Sequence, residues 1–92
     1  MDLAQKYAIN EEQITYRVID GEAIVLNLED AYYYGLNTVA TEILELIDRK
    51  KNLCEILKTL QKEYSDIPVK QLKSDLLSLI KTFKKEKLII PV

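Results

Sequence analysis

Ninety-two residues, of which 48% are hydrophobic, suffice for one domain with one modest core and leave no material for a second. Two glycines, two prolines and the absence of any low-complexity tract exclude a linker or a disordered chain. The net charge of -2 hides an asymmetry: residues 1–48 hold two cations against ten acids, whereas residues 67–92 hold six lysines against Asp75 and Glu86.

The opening MDLAQKYAINEEQ carries Asp2, Glu11 and Glu12 and no apolar run. It has the character of neither a secretory signal nor a membrane anchor, which places the chain in the cytoplasm by default. Residues 1–13 read as an N-terminal extension and 14–92 as the domain. Cys54 is the single cysteine and there is no histidine, so an internal disulfide is excluded and the usual zinc and iron-sulfur ligand sets are missing. No cofactor or metal is expected.

From Ile14 to Ile19 the residues alternate, with Ile14, Tyr16 and Val18 on one side, as in a half-buried strand. Asp20-Gly21 then marks a tight hairpin turn. The run AIVLNL places Ile24, Leu26 and Leu28 on one face, which reads as the core face. Glu29-Asp30 breaks it before Tyr32-Tyr33-Tyr34, and a third strand ends near Leu36.

After Leu36 the period changes. Asn37 or Thr38 can cap a helix whose apolar residues Val39, Ile43, Leu46 and Ile47 repeat at three- and four-residue spacing through Asp48. Asn52 and Glu55 have the spacing of a capping box, and Leu53, Ile56, Leu57 and Leu60 supply a second stripe to about Tyr64. Pro68 suits the first position of a third helix with the stripe Val69, Leu72, Leu76, Leu79, Ile80 and Phe83. Leu77 falls outside that stripe, among Lys70, Lys73, Lys81 and Lys84. The tail Leu88 to Val92 is apolar and β-prone. The expected class is therefore α+β, a winged helix-turn-helix-like domain in which a three-stranded antiparallel sheet precedes three helices.

An exposed, uncharged strand edge invites another chain to pair with it, and the segment Ala31 to Leu36 has no lysine or proline to prevent this. Leu77 and Ile80 with Tyr33 or Tyr34 could form a pocket beside such an edge, and Lys73 and Lys84 could meet carboxylates. The structural alternative is ordinary packing: a tyrosine triplet is more often core and surface filling than a ligand site, and Cys54, with no histidine to activate it, is a structural thiol.

The string GEAIVLNLEDAYYYGLNTVATEILELID, followed by NLCEILKTL and SDLLSLIKTFKKEKLI, resembles the PqqD-like domains, also called RiPP recognition elements. Its most specific part is Gly21, Leu26 and Leu28, then Tyr33-Tyr34-Gly35-Leu36-Asn37, then Ala40, Ile43 and Leu46. The resemblance implies three strands, three helices and no catalytic residues. It also implies that the leader of a ribosomally made precursor peptide adds as a strand to the third strand, against the third helix, for a modifying enzyme such as a leader peptidase or a radical S-adenosylmethionine enzyme. On that reading Ala31, Tyr32, Tyr33, Tyr34, Gly35 and Leu36 bind the peptide together with Lys73, Leu77, Ile80 and Lys84. The sequence departs from the family pattern at Asn27, where aspartate is common, and at Ala31 and Lys87, where glycine is common; Lys87 would need a left-handed backbone to end the last helix in the usual way.

Two other functions fit the fold class. A winged helix can bind DNA through a basic helix, but Arg17 and Arg49 are the only arginines and the first half of the chain is acidic, so no nucleic acid and no membrane partner is expected. An adaptor for another folded protein would use the same open strand edge. An enzyme is disfavoured, because neither a glycine-rich phosphate loop nor spaced metal ligands occur.

Overall fold

The computed structural model describes residues 3–92; Asp2, counted above among the N-terminal acids, lies outside them. Five strands and three helices follow in the order β1 (Tyr7–Ile9), β2 (Ile14–Ile19), β3 (Glu22–Asn27), β4 (Tyr33–Gly35), α1 (Thr38–Asp48), α2 (Leu53–Glu63), α3 (Val69–Lys85) and β5 (Ile89–Pro91). The antiparallel sheet β2-β3-β4 precedes the three helices, as expected, and the apolar tail becomes β5. Within the segment read as an extension, β1 pairs antiparallel with β5, and Tyr7 and Ile9 are buried in the common core.

Local chemistry sets the boundaries. Asp20 and Gly21 both adopt positive φ, 52° and 79°, as a two-residue hairpin turn with the twist of its strands requires. The Asn37 side chain accepts from the Ala40 N–H, and Asn52 with Glu55 closes a reciprocal capping box. Pro68 is extended and stands just before α3 rather than as its first residue. Helix α3 ends in a Schellman arrangement: the Leu88 N–H donates to the Phe83 carbonyl at 2.9 Å and the Lys87 N–H to the Lys84 carbonyl at 3.1 Å, with Lys87 at φ 61°. The left-handed backbone expected of Lys87 is thus present. Ala31, at φ 62°, occupies the other place where glycine is common.

The core gathers Ile14 and Val25 from the sheet, Ile43, Leu44 and Ile47 from α1, Leu53, Ile56 and Leu60 from α2, and Leu72, Leu76, Ile80 and Phe83 from α3. In β3 the buried residues are Ala23 and Val25, whereas Ile24 is 41% exposed and Leu26 half-buried, and Leu28 just after the strand is 50% exposed. The core face expected from Ile24, Leu26 and Leu28 is therefore reversed. The hairpin register is the cause: Tyr16 pairs with Val25 and Val18 with Ala23, and directly paired residues share a face. Val69, placed in the α3 stripe by its spacing, is 51% exposed.

Candidate functional site

Sheet order leaves β4 with β3 on one side only. The Leu36 N–H donates to the Ala23 carbonyl and the Asn27 N–H to the Tyr32 carbonyl, both at 2.8 Å. Antiparallel strands direct the polar groups of alternate residues to alternate sides, so Tyr32, Tyr34 and Leu36 face β3 while Tyr33 and Gly35 direct N–H and C=O outward. Those four groups form an edge that a further strand can use.

Side chains alternate as well. Tyr34 shares its face with Val25 and turns toward the helices, whereas Tyr33 lies on the outer face and is 72% exposed. Burial, and then the nearby Glu86 carboxylate of the α3 end, raise the Tyr34 phenol above its ordinary pKa. Its hydroxyl oxygen is buried with no partner among the described residues. A buried hydroxyl without a partner costs about 1–3 kcal/mol, so a ligand that reaches it gains on pairing.

Beyond the end of β4 lies an open apolar groove of about 260 Å³. It is lined by Asn37, Val39, Ala40 and Ile43 of the α1 start, by Leu72, Asp75, Leu76 and Leu79 of α3, and by Leu60, Tyr64 and Ile67. The chain passes from β4 through Leu36 directly into the α1 start, because the Thr41 hydroxyl ties them: Oγ1 accepts from the Ala23 N–H at 2.7 Å and donates to the Leu36 carbonyl at 3.3 Å. Edge and groove are held as one unit.

The family model described as coenzyme PQQ synthesis protein D (PqqD) matches residues 22–89. The chain belongs to the PqqD family. Among solved structures, "TbiB1 in Complex with the TbiA(beta) Leader Peptide" is 26% identical, with a TM-score of 0.81 over 89% of this chain and 93% of that one. "Lasso peptide synthetase B1 complexed with the leader peptide" has a TM-score of 0.82 at 17% identity, over 94% of this chain and 99% of that one, and shares the fold. No curated protein matches the chain.

In this PqqD-family chain Ala31, Tyr32, Tyr33, Tyr34, Gly35 and Leu36 form β4 and its two flanks. The α3 residues named from sequence do not gather beside it. Ile80 is fully buried in the core, and Lys84 stands over the Tyr7 ring of β1 at 5.7 Å from its centroid. Lys73 and Leu77 are absent from the groove lining. At about 100° per residue, Leu77 lies roughly 160° around α3 from Leu79. The α3 residues on the groove are Leu72, Asp75, Leu76 and Leu79, of which helical spacing assigns the three leucines to the core stripe. Among the described residues no cluster of metal-ligating side chains occurs, and no helix is long and apolar enough to cross a membrane.

Proposed function

We propose that this protein is a non-catalytic carrier that binds the leader of a ribosomally made precursor peptide in the cytoplasm, as a fourth antiparallel strand on β4, and presents it to a modifying enzyme such as a leader peptidase or a radical S-adenosylmethionine enzyme. The observation that carries this reading is the open β4 edge, with the N–H and C=O of Tyr33 and Gly35 unpaired by β3, continuous with the apolar groove between α1 and α3. Backbone pairing supplies affinity tolerant of sequence, and the groove selects side chains. Similarity to two proteins solved with leader peptides supports it. An antiparallel partner of β4 runs from the α1 end toward Asp30, so the groove receives leader residues that precede the added strand.

Calorimetric titration with a synthetic leader of the precursor encoded beside this gene tests the reading. The expected result is one-to-one binding with a dissociation constant of about 1 μM or tighter, without any change to the peptide. Leu79→Ala weakens it roughly tenfold by removing apolar groove wall, while Leu77→Ala, on the far flank of α3, leaves affinity within about twofold. Loss of binding in Leu77→Ala with full affinity in Leu79→Ala would move the peptide to the other side of α3.

A further inference from the structure

Gly35 presents an anomaly that the leader reading does not by itself absorb. A glycine inside a strand weakens it, and the common reason to keep one is a positive φ. Gly35 has no such φ, unlike Gly21. Nor is it squeezed: a Cβ built there would meet only the Ala23 carbonyl oxygen, at 3.9 Å, an ordinary van der Waals distance. Backbone geometry and packing would both accept a larger residue, so what glycine provides here is empty space.

That space has a definite shape. Gly35 pairs with Ile24, so both face the outer side of the sheet, away from the helices. Ile24 is 41% exposed and Ile19 50%. Together with Gly35, Ala23, Leu36, Asn37 and the two acids Asp20 and Glu22 they line an open depression of about 500 Å³. On the added-strand reading, the leader residue that exchanges N–H and C=O with Gly35 stands directly opposite it and projects its side chain onto the same outer face. We infer that the Gly35 depression is a specificity subsite for the leader, taking one large apolar side chain that folds across the glycine onto Ile24 and Ile19. The occupant is apolar because Ile19 and Ile24 are the exposed apolar side chains that line the depression with the glycine, while Asp20 and Glu22 leave no partner for a carboxylate, and large because covering a cross-strand glycine takes an aromatic or branched side chain. This subsite lies on the face of the sheet opposite the α1–α3 groove, so alternate leader residues are read on both faces.

The inference rests on strand addition at β4, and the test separates the two. Leader binding is measured by calorimetry for the native chain, Gly35→Val and Ile24→Ala, each against the native leader and a leader with alanine at the position opposite Gly35, with unfolding midpoints recorded in parallel. Gly35→Val fills the depression without strain, so its midpoint is expected unchanged or higher while affinity for the native leader falls about tenfold. Against the alanine leader the same substitution costs less than twofold, since no large side chain is displaced. Ile24→Ala is expected to weaken the native leader about fivefold and the alanine leader hardly at all. Equal loss on both leaders would mean that Gly35→Val perturbs the strand rather than a subsite, and full affinity of Gly35→Val for the native leader would leave the depression unused; either overturns the subsite while the leader reading stands. Failure of the native chain to bind the leader overturns both.

Discussion

Thr41 is the one buried polar residue among the described side chains of the core, and its position explains its retention. Its hydroxyl accepts the Ala23 N–H of β3 and donates to the Leu36 carbonyl after β4, so a single side chain fixes α1 to the strand edge on which binding depends. Thr41→Val keeps the shape and leaves a buried N–H without a partner, at a cost of about 1–3 kcal/mol. Chemical denaturation is expected to show that loss, and in the fraction that remains folded the leader binds more weakly because the edge and the groove no longer hold a fixed relation. A variant of unchanged stability would show that Thr41 is incidental.

At the scale of elements, α1 and α2 meet through an uncomfortable pair. Burial raises the Glu42 carboxyl to about 7, helped by a hydrogen bond and the charge of Glu63 and by the charge of Glu45. Two carboxylates cannot bond unless one carries a proton, and Glu42 Oε1 is buried without a partner. Because the folded value lies above the unfolded value of 4.5, the folded chain binds the extra proton: this contribution to stability is fully present below about 4.5 and is lost as the pH rises through about 7. Glu63→Gln supplies a permanent donor, so its melting temperature is expected to exceed that of the native chain most at pH 8 and to converge with it near pH 5. A constant difference across that range would remove the shared proton from the account.

The elements themselves were legible because their signals are local: the Asp20-Gly21 turn, the Asn52–Glu55 box and the helical spacing of Ile43, Leu46 and Ile47 each act within a few residues. Which face of β3 is buried is not legible in AIVLNL alone, since Ile24, Leu26 and Leu28 are more hydrophobic than Ala23. Carrying the Ile14, Tyr16, Val18 face across the two-residue turn gives the right answer, because that register forces Val25 and Ala23 onto it. The side of α3 that borders β4 is a different matter. Helical spacing puts Leu79 in the core stripe and Leu77 outside it among lysines, and only the tertiary packing shows that it is Leu79 that borders the groove. In the same way, pairing of β1 with β5 joins residues from 80 to 84 positions apart, beyond any local signal.

For the molecule as a whole, the core lies on the face of the sheet that carries Ile14 and Val25, where α1 packs on β3, and among the described residues the sheet has two free edges, β2 and β4. The β2 edge is the longer, at six residues against three, and it too lacks lysine and proline. What distinguishes β4 is its neighbourhood: the unpaired Tyr34 hydroxyl, the groove that begins where the strand ends, and the Gly35 depression on its other face. Hydrogen exchange followed by NMR on the native chain, with and without saturating leader, tests this choice of edge most directly. The amides of Tyr33 and Gly35 are expected to exchange freely in the unliganded chain and to become protected when leader is present, while the outward amides of Tyr16 and Val18 on β2 do not change. Protection at Tyr16 and Val18 with Tyr33 and Gly35 still exchanging freely would place the leader on the opposite edge and contradict the account.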